Sequence, residues 1–253
     1  MALIAIGGKL GSGKDTVGEI IQYLTGVDAN GKFSKGLNWS HTSSFEIKKF
    51  AGKLKTIASL VTGVPVEKFE DQEFKQKYMS EEWNNPNPVI YENGNKAWMP
   101  MTYREFLQKL GTEAMRDGLH TNVWVNALFA DYHPTPNKSM EESFEEQFVT
   151  GRSEIHYKLP NWIITDMRFP NEMEAVVERK GITIRVVRSF NHKMGSKETG
   201  TLDLTPLHPS ETALDEAKFD YEIINDGTLE DLVEKVREIL IQEKIIVDGI
   251  RSN

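Results

Sequence analysis

LIAIGGKLGSGKDTVGEII, Leu3 to Ile21, is the stretch whose reading decides the fold. Leu3 to Ile6 is an apolar run, which predicts a buried strand. Val17, Ile20, Ile21 and Leu24 then recur at i, i+3, i+4 and i+7, one face of a helix. Between them lies Gly8-Lys9-Leu10-Gly11-Ser12-Gly13-Lys14-Asp15-Thr16. Glycines lack Cβ, so this backbone can turn tightly and aim successive N–H groups at one point. The positive end of the following helix faces the same point. Lys14, read here as an exposed charge at the helix start, adds a full positive charge. Such a loop is a cradle for the phosphates of a nucleoside triphosphate.

The spacing fits G-x-x-x-x-G-K, with Gly8, Gly13 and Lys14 in register. The dinucleotide pattern G-x-G-x-x-G fails, because Thr16 stands at its last glycine. Asp15 follows Lys14 where the motif usually has Ser or Thr on Mg²⁺, and a hydroxyl arrives one place later at Thr16. Two readings of Asp15 stand side by side. It is an acid well placed in the first turn of a helix, or a carboxylate that holds magnesium through water.

The bulk numbers narrow the class. A chain of 253 residues with 39% hydrophobic and 27% charged residues suits one large α/β domain, or a core with excursions. The net charge of −8, with no basic tract, argues against a nucleic-acid polymer as partner. Cysteine is absent, so thiolate metal sites and cysteine nucleophiles are excluded. No apolar run approaches membrane-spanning length, and no signal peptide precedes the first strand, so a cytoplasmic protein is expected.

Along the chain, Ser43 to Thr62 carries Ile47, Phe50, Ala51, Leu54, Ile57, Ala58 and Val61 at helical spacing and closes on Gly63, which predicts one helix. Residues 69–77 are read as helical, and 80–100, with three prolines, as an insertion or loop. Thr102-Tyr103-Arg104-Glu105 is a capping box ahead of Phe106, Leu107, Leu110 and Ala114. Asn122 to Asp131 is a further helix, and about 133–160 an exposed acidic excursion. Asn161–Thr165, Ile182–Val187 and Phe219–Ile224 predict strands. Pro170 starts a helix that ends before Gly181, and Thr228-x-x-Asp231 caps the last one.

Strands that alternate with helices predict a mainly parallel sheet covered by helices on both faces. Ligands of such sheets bind beyond the C-terminal strand ends. That rule gathers the Gly8–Thr16 loop, Asp166, Arg168, Arg188 and Asn225 onto one edge. Phosphoryl transfer needs positioning, charge neutralisation and exclusion of water, and these residue types supply all three. The glycine-containing basic stretch of about 189–214, with Lys193 and Lys197, is read as a lid.

Several groups of residues resemble one family. They are Lys9 to Thr16, Asp166-x-Arg168-Phe169-Pro170-Asn171-Glu172, and His208-Pro209-Ser210-Glu211. Phe50-Ala51-x-x-Leu54-Lys55, Leu107-Gln108-x-x-Gly111-Thr112-Glu113-x-x-Arg116 and Ile224-Asn225-Asp226-Gly227-Thr228 join them. Together they look like the deoxynucleoside monophosphate kinases of tailed phages. The resemblance runs from residue 3 to about 240 and is weakest over 80–100 and 132–160.

It implies an α/β P-loop kinase fold with acceptor-binding and lid excursions. The core would be about 1–25, 160–188 and 219–245, and the acceptor region about 43–132. The implied reaction phosphorylates deoxynucleoside 5′-monophosphates with ATP and Mg²⁺. Lys14 would then contact the β- and γ-phosphates and Thr16 the α-phosphate, inside a cradle of Gly8, Lys9, Leu10, Gly11, Ser12, Gly13 and Asp15. Asn225 and Gly227 would line the adenine through their backbone. Asp166, Arg168 and Glu172 match the acceptor-side motif, with Lys14, Asp166 and Arg168 as the catalytic group. Lys55 and Arg116 are candidates for the acceptor phosphate, and Arg104 and Gln108 for its sugar or base. Arg188, Lys193, Lys197, His208, Ser210 and Glu211 would belong to the lid. A homodimer, and the host cytoplasm if the chain is phage-encoded, complete these expectations.

Plainer readings compete with several of these. Arg104 is equally a surface helix charge, and Arg168 a partner of Glu172 at four-residue spacing. A kinase for another metabolite, of the phosphomevalonate or dephospho-coenzyme A type, is the alternative function. A nucleotide-switch NTPase is a further one.

Overall fold

The computed structural model describes residues 2–26, 33–37, 39–85, 88–91, 93–136, 148, 156–188 and 212–247. It divides into two compact units, Met1–Lys49 with Phe129–Asn253, and Phe50–Leu128. Among the described residues no helix is long and apolar enough to cross a membrane.

The first unit is built on five parallel strands: β1 (Leu3–Gly7), β2 (Phe45–Lys48), β3 (Asn161–Met167), β4 (Ile182–Val187) and β5 (Tyr221–Ile224). Their order is β2-β3-β1-β4-β5, so the first strand is central and the chain winds first to one side of it and then to the other. β1 is buried at all five positions, as a strand covered on both faces must be. Ile4 and Ile6 pack with Val17, Ile20 and Ile21 of α1 (Lys14–Leu24) and with Leu232, Val236 and Leu240 of α6 (Leu229–Gln242). On the opposite face α5 (Pro170–Glu178) lies against β4 and β1. An α/β sheet with helices on both faces is therefore what the alternation predicted.

Local chemistry fixes the joints. Gly18 sits mid-helix in α1, where a Cβ would come 2.6 Å from Thr165 Cγ2, so its bare Cα lets α1 approach β3. Asp220 Oδ2 accepts from Thr183 N at 2.8 Å and Thr183 Oγ1 at 2.7 Å, which fastens the entry of β5 beside β4. The Thr228–Asp231 capping box forms as read, with Asp231 N donating to Thr228 Oγ1 and Thr228 N to Asp231 Oδ2. Beyond α5 the left-handed residue is Lys180, at φ 57°. Gly181 is needed instead for space, since its Cβ would fall 2.6 Å from Val176 Cγ1.

The single helix expected over 43–62 is corrected. Residues 45–48 are the edge strand β2, and only Phe50–Thr62 is helix, α2. Phe45 is buried and Ile47 packs on the same core, a two-residue period that the helical pattern of the following residues had absorbed. Pairing with β3 and the Gln22 Nε2 bond to the Phe45 carbonyl, 2.8 Å, hold the strand. The acceptor region expected from residue 43 thus begins with a strand of the sheet.

In the second unit, Gly63 ends α2 as predicted, at φ 72° with its N–H on the Ser59 carbonyl. Val61, however, is exposed. The stretch over 69–77 contains one short helix, Gln72–Lys75. The 80–100 segment carries a two-strand hairpin, Val89–Ile90 with Lys96–Ala97. The Thr102 capping box opens α3 (Tyr103–Gln108), and α4 (Val123–Phe129) realises the helix expected over 122–131. Between them, Lys109–Asp117 is wound as a π-helix, not the α-helix the spacing predicted. Gly118 N donates to Glu113 O and His120 N to Met115 O, both five residues back. The Gly111 carbonyl accepts from Trp124 Nε1 at 2.9 Å, and Gly111 itself is pressed on Leu54. The wider turn leaves Ala114 exposed rather than in the core with Phe106.

Gly18→Ala tests the α1–β3 contact. Overpacking costs about 1–3 kcal/mol, against a helix-propensity gain of up to about 1 kcal/mol, so a net loss of stability is expected in urea unfolding. In a Thr165→Ser background the clashing methyl is gone, and the same substitution should become neutral or stabilising.

Candidate active site

β1 delivers the chain into the glycine-rich loop, where Gly8, Gly11 and Gly13 adopt φ of 145°, 77° and 107°. These are left-handed values that side chains avoid. At Gly8 the need is also steric, because a Cβ would lie 2.3 Å from the Val186 carbonyl oxygen of β4. α1 then starts at Lys14 with its axis on the loop.

Lys14 is buried at 9% exposure, not exposed as its position suggested. Its Nζ donates to the carbonyls of Gly8 (2.6 Å) and Lys9 (2.8 Å), so the charge is folded back into its own loop. Ser12 is 3% exposed, and its buried hydroxyl has no hydrogen-bond partner among the described residues. A buried hydroxyl inside a turn of N–H groups suits an anionic oxygen. Thr16 is buried in the first turn of α1.

Asp15 Oδ1 accepts from Thr165 Oγ1 of β3 at 2.8 Å and pairs with Lys49 Nζ, just past β2, at 3.1 Å. Desolvation, the largest influence, opposes its charge. The Lys49 ammonium, the Thr165 hydroxyl and Lys14 together outweigh it and hold the carboxyl below its ordinary value. β3 and β1 also lose register here: Ala5 faces Ile164 and Gly7 faces Met167, so Thr165 and Asp166 together oppose Ile6. Such a bulge re-aims side chains beside a site. Thr165 turns to Asp15, and Asp166 stands half-buried at the strand end.

Glu172 is 4% exposed, and its Oε2 accepts the N–H groups of Arg168 (2.7 Å) and Phe169 (3.0 Å). It therefore shapes the turn that carries Arg168. Arg168 and Arg188 line one cavity of about 340 Å³, together with Gly8, Lys9, Leu10 and Ser12. Lys9 reaches across to Asp215 at 3.3 Å. Sequence reasoning missed Arg185, which also lines this cavity. It donates to the carbonyls of Leu214 (2.7 Å), Asp215 (3.1 Å) and Ala217 (2.6 Å) and stacks on Phe219. An arginine inside an apolar strand was the available signal. Leu214, placed in the lid by its sequence, is thus fixed to the sheet, while Lys193, Lys197, His208, Ser210 and Glu211 lie outside the described residues.

Asn225 follows β5 and donates its side-chain amide to the Ser12 carbonyl at 2.8 Å. Gly227 lies exposed in the same turn. Within the second unit, Lys55 Nζ pairs with Glu70 at 2.6 Å and Arg104 Nη2 donates to Gln72 at 2.9 Å. Gln108 ends α3, and Arg116 lies in the π-helical stretch, a winding frequent at functional sites.

The family model for deoxynucleotide monophosphate kinase matches residues 35–236. The chain belongs to that family. A deoxynucleoside-5′-monophosphate kinase of Escherichia phage T5 is 24% identical over 248 residues, 88% of this chain and 89% of the relative. A provisionally named deoxynucleotide monophosphate kinase of Acanthamoeba polyphaga mimivirus is 26% identical over 155 residues, 57% of this chain and 64% of the relative. Membership makes the chain a kinase of deoxynucleotide metabolism, as the resemblance implied, and sets aside the other metabolite kinases and the switch NTPase.

Asp15 gives a pH test. Its folded-state pKa is lowered, so the stability it adds is present above the ordinary aspartate value of 3.8 and is lost as pH falls through the lowered one. Wild type should therefore exceed Asp15→Asn in unfolding free energy at neutral pH. The gap should close on acidification below about pH 4, as read by chemical unfolding at a series of pH values.

Proposed function

We propose that the chain moves the γ-phosphoryl group of ATP to the phosphate of a deoxynucleoside 5′-monophosphate. The observation that carries this reading is the cavity where Gly8, Lys9 and Ser12 meet Arg168 and Arg188. A phosphate loop and two forked guanidiniums around one space suit the charge spread over a transferring phosphoryl group. An acceptor phosphate oxygen attacks the γ-phosphorus, the bond to the β,γ-bridging oxygen breaks, and ADP leaves.

Lys14 would exchange its two carbonyl partners for the β- and γ-phosphates, which offer it full negative charge. Thr16 and the loop N–H groups would hold the α- and β-phosphates. Arg168, held in place through its backbone by Glu172, would grip the acceptor and the migrating group. Lys55, Arg104, Gln108 and Arg116 of the second unit are proposed for acceptor recognition. Lys55 would have to share or leave Glu70 to act on a phosphate.

Mg²⁺ suits the oxygen donors present, since it takes few protein ligands and keeps waters and phosphates. Asp15 and Asp166 would hold it through water, and it would neutralise the β- and γ-oxygens when bound.

Lys14→Ala should lower kcat more than tenfold, a loss above about 1.4 kcal/mol of transition-state stabilisation, while circular dichroism stays native. Activity above a tenth of wild type would remove the assignment. An acceptor panel with labelled ATP should show transfer to deoxynucleoside monophosphates.

Arg168→Lys should not restore activity, because lysine keeps the charge but not the two-pronged donor geometry. Near-normal turnover in that variant would return Arg168 to a surface role.

A further inference from the structure

Asn225 makes a contact that a base-lining turn does not require. Its backbone N–H donates to the Val187 carbonyl at the end of β4, 2.7 Å, so the residue is pinned between the last two strands. From there its side-chain Nδ2 donates to the Ser12 carbonyl, 213 residues earlier, at 2.8 Å. The same nitrogen lies 2.5 Å from where a Cβ on Gly13 would be. Gly13, at φ 107°, thus lacks a side chain for two reasons, its backbone angle and the amide that occupies the space.

The Ser12–Gly13 peptide is trans, so its C=O and N–H point in opposite directions. Holding the carbonyl toward β5 sends the Gly13 N–H the other way. The neighbouring groups are already committed: Ser12 N donates to Lys9 O at 3.2 Å, and Gly13 O accepts from Val17 N at 3.0 Å. Asn225 is what fixes the one peptide plane between them. Were that plane to flip, a carbonyl oxygen would face the phosphates in place of a donor.

We propose that Asn225 is a positioning residue for donor binding, which holds the Ser12–Gly13 peptide so that its N–H faces the triphosphate. The role rests on the phosphate-loop reading given above. It differs from a backbone contact to the base, since it depends on the side-chain amide.

Binding of a non-hydrolysable ATP analogue by titration calorimetry, with kinetics for both substrates, tests it. One hydrogen bond to a backbone carbonyl is worth a factor of about 2–10 in affinity. Asn225→Ala should therefore weaken the analogue by about 2–10-fold and raise KM for ATP. KM for the acceptor and Tm should stay near wild type. Asn225→Asp sets a carboxylate against the Ser12 carbonyl and should bind more weakly still at pH 8. Relative to wild type it should recover only as pH falls through about 4, where the protonated acid can donate again.

Lys14→Ala separates the two readings. If neither wild type nor this variant binds the analogue, the donor assignment itself has failed. If wild type binds, Lys14→Ala does not, and both Asn225 variants bind as wild type does, the positioning role is overturned. A parallel loss for both substrates with a lowered Tm would overturn it too, because Asn225 would then only hold the fold.

Discussion

The constraint on which the first unit depends is the close approach of Gly8 to β4. With the Val186 carbonyl oxygen 2.3 Å from where a Cβ would be, only a bare Cα lets the chain leave β1 and turn back over the sheet edge. The turn then sets Gly13 at a left-handed angle and begins α1 at Lys14. Burial of Ile20 and Ile21 against Ile4 and Ile6 holds that helix on the sheet. Each apolar side chain so buried contributes about 1.5–3 kcal/mol, and the loop's unfavourable backbone angles are offset by that packing. A strained loop carried by a rigid strand and helix keeps its N–H donors from relaxing out of place.

Around this turn the sheet brings in residues from distant parts of the chain, within or just past the C-terminal halves of its strands. β3 contributes Thr165, Asp166 and Arg168, β4 contributes Arg185 and Arg188, and β5 contributes Asn225. Their tasks differ. Arg168 and Arg188 face the cavity beside the loop, whereas Glu172, Arg185 and Asn225 hold backbone. Buried or half-buried polar groups that bond to carbonyls and N–H groups stiffen a site without touching its substrate. Arg185 does this for the chain at 214–217, and with Phe219 under it forms a fixed base on the β4 side of the cavity.

Asp15 shows how one substitution in a common motif is absorbed. A carboxylate in the first turn of α1 gains from the helix dipole, and here it also gains Thr165 and Lys49. Lys49 stands at the end of β2, the strand hidden from pattern reading, so the partner of Asp15 was hidden with it. The carboxylate is thereby kept charged and placed.

What the sequence determined by itself was local and periodic. The Gly8–Lys14 spacing, the Thr102 and Thr228 capping boxes, the apolar runs of β1, β3 and β4, and Gly63 as a helix stop all act within a few residues, so their chemistry is written in adjacent letters. The parallel sheet followed from alternation, and the kinase family came as a resemblance carried by short motifs at strand ends, on two helical stretches and at residues 208–211. What only the tertiary structure decided depends on partners far along the chain. Phe45–Lys48 became strand because β3 offers a ladder; Lys109–Asp117 became a π-helix where Trp124 takes the Gly111 carbonyl. Asn225 proved to bond backbone because the fold brings the Ser12 carbonyl, 213 residues away, within 3 Å of it, and Lys49 meets Asp15 by the same means. Hydrogen bonds reach about 3 Å while sequence patterns report only neighbours, and so the polar framework of the site was legible only once the chain was folded.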